Sequence, residues 1–224
     1  MTIARAAAIV LAKELRLEFR SRELLTTTLV FVLTVIVLFS FSFDPTSEES
    51  RKIGPGLLWM AFLFAGSLML NPSFAREQAN DTLCALRLAP VELFAILLGK
   101  MLANLAFLLL TELLLLPVFA VLYNVALLPV LGRLALVLLL GTLGLAVTGT
   151  AFSAISAQAR MRELLLPLLL LPVLTPVLIA SVECTAGLLA EPPELRMNWL
   201  HVLIAFDVIF LAASYLLCDT LLEE

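Results

Sequence analysis

REQANDTLCALRLAP, residues 76–90, lies between two apolar runs, Gly54 to Leu70 and Phe94 to Leu122, each long enough to cross a bilayer. A charged stretch so placed is a connector at one membrane face. Within it Leu83, Leu86 and Pro90 recur at three- and four-residue intervals among Glu77, Asp81 and Arg87, the spacing of a short amphipathic helix. A loop that only joined two helices would not need that spacing. The segment therefore reads as a docking element that offers a surface to something outside the bilayer.

Composition sets the class. Mean hydropathy is +1.09, 62% of residues are hydrophobic and 14% are charged, against roughly 25% charged in soluble domains. The solvent of this chain is hydrocarbon, and soluble classes are excluded. Its few basic residues are dispersed along membrane boundaries, so the net charge of −4 carries no sign of a nucleic-acid partner.

At about 20 residues per crossing, the apolar runs predict six spans: Leu24 to Phe43, Ile53 to Leu70, Phe94 to Tyr123, Leu131 to Ile155, Leu164 to Glu183 and Asn198 to Cys218. The third is long for one crossing, so its first turns should lie in the interface or the helix should tilt. Ahead of the spans, the run Ala6 to Ala12 is followed by Lys13, Glu14, Arg16, Glu18, Arg20 and Arg22 with no small-residue cleavage site, so it should be retained. At 100° per residue, Arg5, Lys13, Arg16 and Arg20 share an arc of about 80°, facing away from Ile3, Ala7, Val10, Leu11, Leu15 and Leu17. Residues 1–22 thus read as an interfacial amphipathic helix in contact with membrane lipid. Glu14 and Glu18 fall inside its apolar arc, where either a protein neighbour or solvation near the headgroups must account for them.

An even number of spans puts both termini on one side. The amino-terminal segment and alternate connectors hold Arg5, Lys13, Arg16, Arg20, Arg22, Arg76, Arg87, Lys100, Arg160 and Arg162; the opposite connectors hold Arg51, Lys52, Arg133 and Arg196. This bias makes the termini and the docking segment, residues 72–92, cytoplasmic. Residues 1–224 form a single transmembrane domain with short loops, and nothing outside the membrane is large enough to be an enzyme.

Gly141, Gly144, Ala146, Gly149, Thr150, Ser153 and Ala157 give the fourth span a face of small residues, suited to close helix packing or to lining a substrate path. Pro167, Pro172 and Pro176 should bend or break the fifth, and Cys184 to Leu189 could form a re-entrant piece before the turn at Glu191-Pro192-Pro193-Glu194. Glu112 and Asp207 fall near the middles of the third and sixth spans, where a charge costs roughly 3 kcal/mol. Both should face protein or water, as working groups on a substrate or proton path or as protonated partners in interhelical hydrogen bonds. His201, the sole histidine, lies toward the outer end of the sixth span, as a haem or metal ligand or as an interfacial imidazole. No catalytic or metal-binding constellation is present: Cys84, Cys184 and Cys218 are scattered across both sides. Gly99-Lys100-Met101 fails as a phosphate loop, because Phe94 stands where a glycine is needed and no Ser or Thr follows the lysine.

Glu77, Thr82, Leu83, Leu86 and Pro90 resemble the coupling-helix region of ABC-2-type permeases, with Asp81 where many of these have glycine. More specifically, KELRLEFRSRE (13–23), GLLWMAFLFAG (56–66), LGKMLAN (98–104) and RELLLP (162–167) resemble, in order, the haem exporter protein B (CcmB) family of cytochrome c maturation, over about residues 8–186. The resemblance implies an all-α membrane protein with six transmembrane helices, an amino-terminal interfacial helix and a cytoplasmic coupling helix. It implies a permease subunit that is no enzyme itself and binds no cofactor directly, with haem as substrate and ATP hydrolysed by a partner. The implied partners are a second copy of the chain, a cytosolic ABC ATPase dimer, a haem-handling membrane subunit and a small single-span subunit, all in a bacterial inner membrane. Together these would export haem or release a haem-loaded periplasmic chaperone. ATPase coupling would then fall to Glu77, Asp81, Leu83, Leu86, Arg87 and Pro90, with Glu14 and Glu18. A general ABC-2 permease for lipid, glycan or drug shares only the coupling segment, and a membrane scaffold or intramembrane enzyme would need no ATPase.

Overall fold

A computed structural model of the chain describes residues 2–42, 48–70, 74, 91–157 and 162–218. Glu77, Asp81, Leu83, Leu86, Arg87 and Pro90, the residues expected to dock a partner, lie outside the described residues with Thr82 and Cys84. Among the described residues the fold is all helical: α1 (Ile3–Ser21), α2 (Glu23–Ser42), α3 (Glu48–Leu70), α4 (Leu93–Leu122), a 3-10 turn (Leu128–Val130), α5 (Leu131–Ala157), α6 (Arg162–Leu188) and α7 (Met197–Leu216).

Six of these helices, α2 to α7, are long and apolar enough to cross a membrane, in the order the hydropathy predicts. α4 has 30 residues, about 45 Å at 1.5 Å per residue, against a hydrocarbon thickness of about 30 Å. Bulky side chains such as Val30 and Leu38 on α2 and Val208, Ile209 and Leu216 on α7 point outward and are exposed. In water such a surface would drive aggregation, whereas lipid solvates it at no cost.

α5 is the hub, touching α3, α4, α6 and α7. Its small-residue face is filled by protein. A methyl group at Gly141 would stand 2.6 Å from Ser181 Oγ and overlap the Trp59 ring, and one at Gly144 would stand 3.0 Å from Asp207 Oδ1 and 3.2 Å from Val177. At Gly141 neighbouring side chains occupy the space a Cβ would take, and at Gly144 a Cβ would fit only if Asp207 or Val177 gave way by a few tenths of an ångström. Trp59, wholly buried, donates its indole N–H to Thr185 Oγ1 at 2.9 Å, joining α3 to α6 next to Gly141. Asn104 donates to Thr150 Oγ1 at 2.8 Å, and Ser153 Oγ donates to the Leu70 carbonyl at 2.7 Å. In a bilayer, where apolar contact alone gives helices little reason to associate, small residues and such bonds supply the specificity.

α6 departs from expectation in two respects. The helix is unbroken through Pro172 and Pro176. Each proline removes one amide donor, but every other backbone group must still be satisfied within the segment in hydrocarbon, and a continued helix does this at least cost. Nor do residues 184–189 form a re-entrant piece. Cys184 and Thr185 are buried inside α6, which runs to Leu188. The Thr185 hydroxyl bonds back to the Ser181 carbonyl at 2.7 Å, and the following loop returns over the helix end, where Arg196 pairs with Glu183.

A candidate coupling junction and two buried acids

The amphipathic helix α1 packs against α4 rather than lying free on the bilayer. Gly99 makes the approach feasible: a Cβ there would stand 2.6 Å from Val10 Cβ and 2.8 Å from the Ala7 carbonyl oxygen. Further along, the rings of Phe19 and Phe107 meet edge to face with centroids 6.4 Å apart. Contact at these two separated points means that the helices run side by side. Arg5, Arg16 and Arg20 are exposed on the other side of α1, where anionic headgroups would meet them.

Both misplaced acids of α1 have protein neighbours. Lys100, on the foot of α4 with a wholly buried side chain, places its Nζ 3.0 Å from Glu14 Oε1, and the half-exposed Lys13 reaches the same oxygen at 3.3 Å. Burial by itself would raise the pKa of Glu14, but the charges and hydrogen bonds of Lys100 and Lys13 outweigh it and hold the carboxyl below its usual value. Lys100 also lies over the ring of Phe74, 4.7 Å from its centroid, a cation–π contact. Lys100 therefore belongs to a buried helix turn, not to a connector. Glu18 is 2% exposed, and its Oε1 accepts the backbone N–H of Leu25 at 3.0 Å. The chain turns at Arg22 in a left-handed conformation (φ 54°), and the last turn of α1 thereby meets the amino end of α2. One of that helix's orphan amides is satisfied there.

Glu112 and Asp207 both face protein, being 3% and 5% exposed. Thr142 of α5 donates its hydroxyl to Glu112 Oε1 at 2.5 Å. Asp207, from α7, presses on Gly144 of α5, and neither of its carboxyl oxygens has a hydrogen-bond partner among the described residues. The two acids thus approach α5 from different neighbours and are not joined to each other. His201 is exposed on the first turns of α7. Nothing in the sequence pattern marked Thr142 or Lys100 as partners. The one available signal was a lysine next to glycine inside a long apolar helix, where a charge needs a counter-charge.

Six packed spans, an amphipathic helix bound to the foot of the third and an interior of small and hydrogen-bonding residues define a multi-pass helical membrane protein. The CcmB protein family matches residues 5–218. Heme exporter protein B of Pseudomonas aeruginosa is 35% identical over 199 residues, covering 88% of this chain and 89% of its own length. That of Rhodobacter capsulatus is 35% identical over 190 residues, 82% and 85% respectively, and that of Escherichia coli strain K12 is 35% identical over 91 residues, 41% of each chain. The chain belongs to the CcmB protein family.

Proposed function

We propose that this chain is the permease subunit of an ATP-driven complex serving cytochrome c maturation, coupling ATP hydrolysis by a separate cytosolic subunit to haem export or to release of a haem-loaded periplasmic chaperone. The observation that carries the reading is likeness at 35% identity, along nearly nine tenths of both chains, to a protein named heme exporter protein B. The sequence agrees with it: Gly99-Lys100-Met101 cannot serve as a phosphate loop, so the energy must come from another polypeptide.

In this reading the chain resides in a bacterial inner membrane with both termini cytoplasmic, supported by the bias of Lys and Arg toward one set of connectors. It pairs with a second copy, an ATPase dimer, a haem-handling membrane subunit and a small single-span subunit. Residues 76–90 receive the ATPase, through Glu77, Asp81, Leu83, Leu86, Arg87 and Pro90. Glu14 and Glu18 contribute from inside, since each is bonded to another helix and passes movement on instead of touching the ATPase. Glu112 and Asp207 are the candidates for working groups at membrane depth, where haem is a substrate and not a resident cofactor.

The deciding experiment is purification of the tagged chain in a gentle detergent with identification of its companions by mass spectrometry. An ABC ATPase and a haem-handling membrane protein should copurify. A complex without an ATPase would overturn the proposal, and an ATPase accompanied by enzymes of lipid or glycan export would transfer the chain to a general ABC-2 role.

A further inference from the structure

We infer that Asp207 is a proton-binding site at membrane depth whose proton latches α7 to α5: with the proton bound the carboxyl packs on Gly144, and without it the two helices part. The permease reading above gives Asp207 only a candidate role, and the latch does not depend on what the chain transports.

The contact itself carries the inference. Asp207 is 5% exposed, and among the described residues neither of its carboxyl oxygens meets a hydrogen-bond partner or presents surface to solvent. Its Oδ1 lies 3.0 Å from the point where a Cβ at Gly144 would stand, so the carboxyl is pressed against the backbone of α5. No cation answers it. α5 carries Arg133 at its outer end, and α6 carries Arg162 and Glu163 at one end and Glu183 and Cys184 at the other. α4, which meets the foot of α7 through Phe94 and Tyr215, carries Lys100, bound to Glu14, and Glu112, bonded to Thr142. On α7 itself His201 and Tyr215 are exposed. α7 is also free to move on its outer side, where Ile204, Val208, Ile209 and Leu211 face lipid. Glu112 differs in both respects: it has a donor in Thr142, and its helix is enclosed by α1, α2, α3 and α5.

A carboxylate in the Asp207 contact would have no counter-charge, no donor and no water, whereas a neutral carboxylic acid is a small polar group short of a hydrogen bond. The protonated form is the one that fits. Because solvent reaches neither oxygen while α7 lies on α5, a proton leaves or arrives only when the helices separate. Proton release and helix separation are then one event, and pH sets how often α7 stands away from α5.

The test uses the full chain, purified with its companions into lipid, and infrared spectroscopy, which distinguishes the C=O stretch of a neutral carboxylic acid from the bands of a carboxylate. In Glu112→Gln, which removes the other acid at membrane depth, a neutral-acid band should be present at neutral pH, and adding Asp207→Asn should abolish it. Thermal unfolding reads the latch. An unfolded aspartate ionises in the usual carboxylate range while the folded contact keeps its proton, so wild type loses stability relative to Asp207→Asn as pH rises. The melting temperature of wild type should fall progressively behind that of Asp207→Asn from mildly acid to mildly alkaline solution. A gap that does not vary with pH would overturn the latch, and a neutral-acid band that survives Asp207→Asn unchanged would overturn the site. The Glu112→Gln spectrum needs no second substitution, and absence of the band from it at neutral pH would overturn the inference by itself. Absence of an ATPase from the purified chain would overturn the permease reading and leave these results standing, which keeps the two failures distinct.

Discussion

Thr142 on α5 donates its hydroxyl to Glu112 on α4 across 2.5 Å, in a bundle interior where neither side chain reaches solvent. A glutamine at 112 retains the carbonyl that accepts this bond, whereas a leucine leaves the threonine hydroxyl without its acceptor. Glu112→Gln should therefore assemble at wild-type yield, and full cytochrome c maturation by it would return the acid to helix packing. Glu112→Leu should lose about 1–3 kcal/mol, the cost of an unsatisfied buried polar group, read as a lower melting temperature in detergent. Normal assembly with lost maturation in Glu112→Gln would assign the acid a working role in proton or substrate movement.

Gly141 faces the Trp59 ring and stands where an added methyl would come within 2.6 Å of Ser181 Oγ. Gly141→Val should force α3 and α6 away from α5 and cost roughly 1–3 kcal/mol, as overpacking does in well-filled interiors. Thermal unfolding of the detergent-solubilised protein measures it. An unchanged melting temperature would mean that α5 packs less closely than described.

Acid should loosen α1. The Glu14 carboxyl is held below the usual glutamate value of 4.5 by Lys100 and Lys13. The folded state therefore binds fewer protons than the unfolded state between the depressed value and 4.5. The resulting stabilisation is fully present above 4.5 and is lost as pH falls through the folded-state value. The melting-temperature difference between wild type and Glu14→Gln should be constant above pH 4.5 and shrink below it. A difference that persists undiminished into strong acid would contradict the pairing.

If residues 76–90 dock an ATPase through the apolar spacing of Leu83 and Leu86, Leu86→Asp should abolish ATPase association while membrane insertion is unchanged. Copurification of the ATPase at wild-type yield would remove the docking role from this face.

A reporter active only in the periplasm should be silent when fused after Glu224 and active when inserted within residues 48–50, because positively charged connectors stay in the cytoplasm. The reverse pattern would invert the protein and move the docking segment to the wrong side for a cytosolic ATPase.

The six spans were legible in the sequence because hydropathy and crossing length are local properties. Twenty apolar residues in hydrocarbon must satisfy their own backbone whatever surrounds them. For the same reason the prolines of α6 do not break it. Their local effect is outweighed by the penalty that keeps a helix intact in lipid, and residues 184–188 continue the helix, with Thr185 held by the buried bond from Trp59, a contact between distant segments. The amphipathic character of α1 could be read from spacing, and so could the anomaly of Glu14 and Glu18, though not its resolution. Lys100 and Glu14 are 86 residues apart and Thr142 and Glu112 are 30 apart. Sequence by itself determined that this chain lives in a membrane, how often it crosses and which family it resembles. Only the tertiary structure decided which buried charge meets which partner, because a pairing between distant segments depends on how helices pack, and helix packing is set by shape complementarity spread over the whole bundle.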